Sequence, residues 1–471
     1  MRRYMLGVTA AFVAAGCAHG ARVTSLPPLG GDEAEVVVYL DALPQEAERL
    51  TVSLTSLSAA TSGGADEPLD LRLTKLVRSD VSRQRLLASG RIPAGSYEGF
   101  HLAVAKAQLA GEGKPADLLV PKEPALVTAP FTAVRGKVTV IALSFRYDLS
   151  VKGGFEFSPE FVATQPVLPP PQLTGYCSNT ASANLTVFDT TRRIVGGVVA
   201  TGGRPGGVAI DPPPGQGRAY VALAASSEVQ VLDVLSGDTV GSFRMRFGDE
   251  PVELALVPTG KPLLSVNSGS NTLSFLDPTS FIELTRVPTG LEPASVLLDR
   301  TSSRAYVFNR HSNSITVVDV ANQAVVTTIP TDPEPFFGAV SRDGTRLYVV
   351  CVGSAYLNVY SLPGLAVLQR AFTGLGQRTI LVDSRTDYVY VGMRGEKRIY
   401  VYDPFSLIPI DYVEVPGSVS YMVIDDLTNT LFALMPENRS VAVVDLTSRR
   451  VLAVLDVGEA PYALRLAGQR P

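Results

Sequence analysis

The second half of the chain repeats one short pattern seven times at nearly constant spacing. The pattern is a strand-like run of apolar residues that ends in a short side chain bearing oxygen. Successive endings are 44, 44, 42, 42, 42 and 42 residues apart. They are Asp189, Asp233, Asp277, Asp319, Ser361, Asp403 and Asp445. A repeat of this length buries its apolar face only against its neighbours, so the spacing constrains the architecture more than any other feature.

Each repeat contains four strand candidates, which is the size of one propeller blade. In the fifth repeat they cover residues 336–341, 346–352, 357–361 and 366–372. Seven blades close into a ring that protects the sheet edges. We therefore predict an all-β chain with a seven-bladed β-propeller over residues 173–471. The first repeat lacks an inner strand, and residues 461–466 match one, so this last strand is predicted to complete the first blade.

Each oxygen-bearing ending stands just before a predicted turn. A carboxylate or hydroxyl at that position accepts hydrogen bonds from the N–H groups of the turn. We therefore interpret the seven endings as turn caps rather than as a ring of metal ligands.

Some repeat segments carry a family resemblance. Residues 176–179 read Tyr-Cys-Ser-Asn, residues 305–309 read Ala-Tyr-Val-Phe-Asn, and residues 341–349 read Ser-Arg-Asp-Gly-Thr-Arg-Leu-Tyr-Val. These segments resemble the YVTN family of β-propellers, over about residues 173–468. The resemblance implies a fold that is widespread in surface and secreted proteins. Because that family hosts many functions, the resemblance does not name one.

The region before the repeats alternates apolar and polar residues with the period of a β-strand. Several such strands in about 130 residues predict an antiparallel β-sandwich over residues 35–164. The segment 92–97, Ile-Pro-Ala-Gly-Ser-Tyr, resembles a turn of immunoglobulin- or transthyretin-like domains in bacterial lipoproteins. A flexible tether is predicted before this domain, over residues 17–34, and a stiff Pro-rich linker after it, over residues 165–172.

The first residues have the pattern of a secretory signal. Arg2 and Arg3 precede an apolar run from Met5 to Ala15, which is too short for a stable membrane crossing. Residues 13–17, Val-Ala-Ala-Gly-Cys, resemble the bacterial lipobox. The resemblance implies removal of a signal peptide at residues 1–16, acylation of Cys17 with fatty acids such as palmitate, and sorting to the outer membrane of the cell envelope. The alternative is an ordinary signal peptide in which Cys17 is incidental.

Composition excludes several classes of function. Three cysteines and three histidines give no c-type haem motif, no zinc cluster and no disulfide framework. A net charge of −4 without a dense run of Lys or Arg gives no basis for binding nucleic acid. Cys177 and Cys351 stand in well-separated repeats, so they are predicted to be buried, unpaired thiols.

The loops that enter the inner strands are the best candidates for a binding site. Ligands of propellers usually bind at the channel mouth, which these loops form together with the loops between second and third strands. Three glutamates precede the loop proline at intervals of 42 residues, and basic residues stand nearby. The candidate ligand-binding residues are Glu250, Glu292, Glu334, Arg204, Arg310 and His311. The carboxylates could hold Ca²⁺ or meet a basic partner, and the alternative is a set of solvated loop positions.

Two classes of function remain open, and no catalytic residue is assigned. The first is a lipid-anchored, non-catalytic propeller that binds another envelope protein, a surface component or a ligand. The second is an envelope enzyme, lactonase- or lyase-like, with its site at the channel mouth. A haem- or quinone-dependent oxidoreductase is a weaker third hypothesis, because the chain has no haem motif and no tryptophan.

Overall fold

A computed structural model describes residues 24–467, apart from residues 62, 64, 112, 113, 212 and 213. The predicted signal peptide and the predicted acylation site at Cys17 lie outside the described residues. The described chain is almost entirely β-structure. Its helical segments are an α-helix, α1, at Tyr147–Ser150 and 3₁₀ turns at Gln45–Arg49, Pro171–Leu173 and Pro436–Asn438. None of the helices in this part of the chain is long and apolar enough to span a membrane.

The N-terminal domain contains the first twelve strands. They are β1 (Glu33–Leu40), β2 (Leu50–Ala60), β3 (Glu67–Leu71), β4 (Lys75–Val77), β5 (Arg85–Pro93), β6 (Gly95–Leu109), β7 (Ala116–Leu118), β8 (Ala125–Ala133), β9 (Val138–Phe145), β10 (Val151–Lys152), β11 (Glu156–Phe157) and β12 (Phe161–Thr164).

Ten of these strands form one continuous sheet. The main path runs β12-β9-β1-β5-β3-β2-β6-β7, with β4 on β2 and β8 on β6. The sequence predicts a sandwich of two separate sheets, but β3 pairs with both β2 and β5 and so joins the two halves by hydrogen bonds. The strands also include one parallel pair, β1 with β9. A single apolar core, including Leu87, Phe100 and Leu143, fills the inside of the curled sheet.

The remaining strands form seven separate four-stranded sheets. Blade 1 contains β13 (Thr174–Asn179), β14 (Asn184–Asp189) and β15 (Ile194–Ala200); blade 2, β16 (Pro205–Asp211), β17 (Arg218–Leu223), β18 (Glu228–Asp233) and β19 (Thr239–Arg244); blade 3, β20 (Pro251–Leu256), β21 (Leu263–Asn267), β22 (Thr272–Asp277) and β23 (Ile282–Pro288); blade 4, β24 (Pro293–Leu298), β25 (Arg304–Asn309), β26 (Ser314–Asp319) and β27 (Ala324–Pro330); blade 5, β28 (Pro335–Val340), β29 (Arg346–Cys351), β30 (Tyr356–Ser361) and β31 (Val367–Phe372); blade 6, β32 (Gln377–Val382), β33 (Val389–Met393), β34 (Arg398–Tyr402) and β35 (Pro409–Glu414); blade 7, β36 (Tyr421–Asp425), β37 (Thr430–Met435), β38 (Ser440–Asp445) and β39 (Arg450–Asp456). The predicted seven-bladed propeller is confirmed.

The last strand, β40 (Pro461–Leu466), lies in blade 1. It pairs antiparallel with β13, where Tyr176 faces Arg465 and Cys177 faces Leu464. Blade 1 is therefore built from both ends of the propeller sequence. Since the first and last strands of the ring share one sheet, the backbone hydrogen bonds of that sheet hold the ring closed.

The oxygen-bearing strand endings cap turns, which confirms their structural interpretation. The Asp189 carboxylate accepts the N–H groups of residues 191 and 192, and the Asp403 carboxylate accepts those of residues 405 and 406. The same type of bond holds the pKa of Asp319 below its ordinary value. Cys177 and Cys351 are free and buried, which confirms that prediction.

The N-terminal domain packs against the first and last blades. Asp456, at the end of β39, makes ion pairs of 2.7 Å with both Arg83 and Arg85. An apolar cluster formed by Val37, Tyr39 and Val140 of the domain with Val195 and Val198 of β15 completes the contact. The domain therefore covers the outer edge of the ring where its first and last blades meet.

Candidate functional site

The candidate site is the mouth of the propeller channel, formed by the loops that enter the inner strands and by the loops between second and third strands. The residue before the inner strand adopts the left-handed backbone conformation in five junctions, with φ between 46° and 57°. These residues are Arg204, Glu250, Glu292, Glu334 and Ala460. The carbonyl of each accepts an N–H from the neighbouring loop between second and third strands. This repeated bond fixes the direction in which each side chain leaves the rim.

The six residues predicted to bind a ligand all lie at this mouth, where they contact one another in pairs. Arg204 and Glu250 approach to 3.9 Å, and Arg310 and Glu334 approach to 3.4 Å. His311 contacts Glu292. The three glutamates therefore do not converge on one point, and each has a basic neighbour. Within the described ranges, no three His, Cys, Asp or Glu side chains form a group that could hold a metal ion, and Ca²⁺ binding at these carboxylates stays a prediction.

Two aspartates near the rim serve the loops rather than the channel. Asp249 is 1% exposed, and its carboxylate accepts hydrogen bonds from both terminal nitrogens of Arg286, each at 2.7 Å. Burial opposes ionisation of Asp249, but the hydrogen bonds from Arg286, Ser270 and the backbone N–H of Arg246, together with the charge of Arg286, outweigh it and hold the pKa of Asp249 below its ordinary value. Asp332 accepts hydrogen bonds from a single nitrogen, Nη2 of Arg370, at both of its carboxylate oxygens, at 2.9 Å and 2.7 Å. These pairs tie inter-blade loops to outer strands.

Inside the mouth, the inner strands place charged and aromatic side chains that the sequence analysis missed. The guanidinium of Arg378, on β32, stacks on the ring of Phe336 at 4.5 Å. Ion pairs within 4.0 Å join many arginines to carboxylates in the described chain, but none involves Arg378. Burial lowers the pKa of Arg378, yet an arginine remains protonated at neutral pH. Arg378 is thus a cation shielded by aromatic carbon, with no carboxylate within 4.0 Å in the described chain, although the charge of Glu334 acts on it from farther away.

Tyr462, on the closing strand β40, has a phenol whose pKa is affected by charged residues of several blades. Burial raises the pKa of its phenol, and the carboxylate of Glu253 raises it further. The guanidinium groups of Arg378, Arg204 and Arg310 act in the opposite direction. Glu253 and the three arginines belong to four other blades, so charged groups from several parts of the ring act on this one phenol.

A buried ion pair lies deeper in the channel. Glu253 of β20, 1% exposed, accepts a hydrogen bond of 3.2 Å from Arg465 of β40. Burial raises the pKa of Glu253 against the effect of Arg465, and Oε2 of Glu253 has no partner among the described atoms. Arg465 also donates to the hydroxyl of Tyr421 and stacks on its ring. This group joins blades 3, 7 and 1 across the channel.

A glycine makes room for this ion pair. A Cβ on Gly207 of β16 would lie 2.5 Å from Oε1 of Glu253 and 2.6 Å from its Cα. Blade 2 can therefore approach blade 3 this closely only because residue 207 lacks a side chain.

The missed residues do have a signal in the aligned repeats. One position of the aligned repeats, second in six of the inner strands and just before β36 in blade 7, is occupied by Gly206, Val252, Ala294, Phe336, Arg378, Ser420 and Tyr462. A single arginine in a column of small, apolar or aromatic residues marks a charge pointing into the channel. The loop charges are easier to predict, because they recur at regular spacing, whereas an arginine occurs at this position once.

No protein-family model matches the chain, and no curated protein matches it either. Solved structures do resemble it. Hydrazine synthase from Kuenenia stuttgartiensis matches with a TM-score of 0.52 and 18% identity, covering 59% of this chain and 94% of that one. The periplasmic gluconolactonase of Pseudomonas aeruginosa gives 0.51 and 17%, covering 62% and 98%. A protein from Lactobacillus plantarum gives 0.54 and 15%, covering 62% and 98%. At these identities the likeness establishes the propeller fold and carries no activity.

Proposed function

We propose that this chain is a lipid-anchored envelope β-propeller of the YVTN type that binds an anionic group at its channel mouth without chemical turnover. The observation that carries the proposal is the position of Arg378, which stacks on Phe336, acts on the phenol of Tyr462 and makes no ion pair within 4.0 Å in the described chain. The partner would be an acidic ligand or the acidic group of another envelope component. Nucleic acid is not proposed as a partner.

The electrostatics of the mouth support an anionic ligand. Arg204 and Arg310 already face the glutamates of the rim, at 3.9 Å and 3.4 Å, but these contacts are long and their side chains are partly exposed. Exposed pairs of this kind contribute about 0–1 kcal/mol, so a ligand anion can compete for the same guanidinium groups. At Arg378 a ligand anion would not have to displace a carboxylate, because stacking on an aromatic ring leaves the N–H donors of the guanidinium available.

The proposal is tested by calorimetric titration of the full-length protein in detergent with phosphate, citrate and gluconate. We expect at least one of these anions to bind, and Arg378→Gln to weaken that binding at least tenfold. The matched control is Arg450→Gln, an exposed arginine at the start of the outer strand β39. The proposal is wrong if none of the three anions binds, or if both variants bind as the unaltered protein does.

The enzyme hypothesis rests on Glu253, whose raised pKa is typical of a general acid. Its geometry is less favourable, because the unpartnered Oε2 atom is enclosed by protein and Oε1 is already bonded to Arg465. An assay of lactone hydrolysis with δ-gluconolactone distinguishes the two functions. Turnover that is lost in Glu253→Gln would favour the enzyme, whereas binding without turnover supports the proposed function.

A further inference from the structure

The beginning of the described chain lies at the channel mouth. The hydroxyl of Ser25 accepts the N–H of Arg204 at 3.0 Å, and the N–H of Leu26 donates to the carbonyl of Ala181 at 2.9 Å. Arg204 and Ala181 belong to the two sets of loops that form the mouth. Residues 24–28 thus follow the rim of blades 1 and 2.

Residues 24–28 are held against the protein surface by hydrogen bonds. Arg91 of the N-terminal domain donates to the carbonyl of Pro27. Residues 24–28 also form one wall of a cavity of about 450 Å³, whose other wall is Gly203, Arg204, Ala225 and Ser226. The point at which the chain leaves the described structure is therefore fixed relative to the mouth.

The distance from this point to Cys17 is short. Seven residue steps separate Cys17 from Thr24, and a fully extended chain covers at most about 3.6 Å per step, or about 25 Å in total. The opposite end of the ring is separated from the mouth by strands such as β18, whose six residues span about 20 Å before the loops are added. A tether of that length would be used up in passing along the blade to the opposite end.

We infer that the mouth end of the propeller faces the bilayer, so that the partner at the mouth is the membrane surface to which Cys17 is attached. This inference rests on the lipid anchor in the proposed function. The reach of the tether holds the rim of blades 1 and 2 within about 25 Å of the lipid headgroups. Arg378 and Tyr462 then open toward molecules held at that surface.

Energy transfer to labelled lipid headgroups tests the orientation. Ser226→Cys places a donor dye at the mouth and Ser236→Cys places one at the opposite end of the same blade; both serines are exposed. Cys177 and Cys351 are buried, so only the introduced thiols react. The lipidated full-length protein is reconstituted in phosphatidylcholine vesicles that carry rhodamine on the headgroup. We expect stronger transfer from position 226, equivalent to an approach closer by about 20 Å.

Two controls separate the possible failures. Vesicle flotation and the mass of the Cys17 peptide report whether the anchor exists, and Cys17→Ala should not float. If the protein is lipidated and floats but the two positions transfer equally, or position 236 transfers more, the orientation is wrong while the anchor stands. A flexible insertion of 20 Gly and Ser residues after Ala18 should abolish the difference between the positions, since it removes the constraint on reach.

Discussion

Glu35 of β1 is a buried carboxyl group at the contact between the N-terminal domain and blade 1. It is 8% exposed, and a hydrogen bond joins it to the side chain of Asn184. The amide oxygen of Asn184 already accepts Asn179, so its nitrogen is the donor to Glu35. Burial raises the pKa of Glu35 to about 7, although Arg91 acts in the opposite direction. The adjacent small cavity adds Arg72, Arg439 and Glu459 to its surroundings.

The raised pKa makes stability depend on pH. Because the folded protein holds the Glu35 proton more tightly than the unfolded chain, whose carboxyl has the ordinary pKa of 4.5, Glu35 favours folding most below pH 4.5. That contribution is lost as the pH rises through 7. The difference between 4.5 and about 7 is equivalent to about 3 kcal/mol in the free energy of unfolding. Glu35→Gln keeps the shape and the hydrogen bond but cannot ionise.

We therefore expect Glu35→Gln to match the unaltered protein near pH 4.5 and to exceed its free energy of unfolding by up to about 3 kcal/mol at pH 8. Urea denaturation followed by circular dichroism at pH 4.5, 6, 7 and 8 measures this difference. Glu98→Gln, at an exposed position of the same domain, is the control for loss of a surface charge. Parallel pH curves for Glu35→Gln and the unaltered protein would refute the reasoning.

Three further outcomes follow from the packing. Deletion of residues 461–471 removes β40 and should unfold or oligomerise the propeller, as size-exclusion chromatography and calorimetry would show; a monomer with unchanged melting contradicts closure through β40. Asp456→Ala leaves Arg83 without its partner and should cost about 3 kcal/mol and speed proteolysis between the domains; unchanged cleavage contradicts a role in docking. Gly207→Ala pushes a methyl group against Glu253 and should lower stability by about 1–3 kcal/mol in thermal melts; an unchanged melting temperature shows that the strands can separate.

The sequence determined the repeat architecture because the relevant forces act within one repeat and between neighbours. A blade needs four short strands, turn caps such as Asp189 and a period of about 42 residues, and each of these is local in the sequence. The position of the mouth was predictable for the same reason, since Glu250, Glu292 and Glu334 recur at one place in the repeat. Their common repeat position also predicted that they share one end of the ring, where the structure places them.

Tertiary structure alone decided what these side chains meet. The pairing of Arg310 with Glu334 joins residues 24 positions apart, and that of Glu253 with Arg465 joins residues 212 apart. The curled sheet of the N-terminal domain likewise depends on β3, which pairs with a strand on each side. No periodic pattern encodes such contacts, because they depend on how the ring closes and how the domain packs against it. The sequence by itself thus specified the blades and their order, whereas closure placed Arg378 and Tyr462 around one channel and determined its electrostatics.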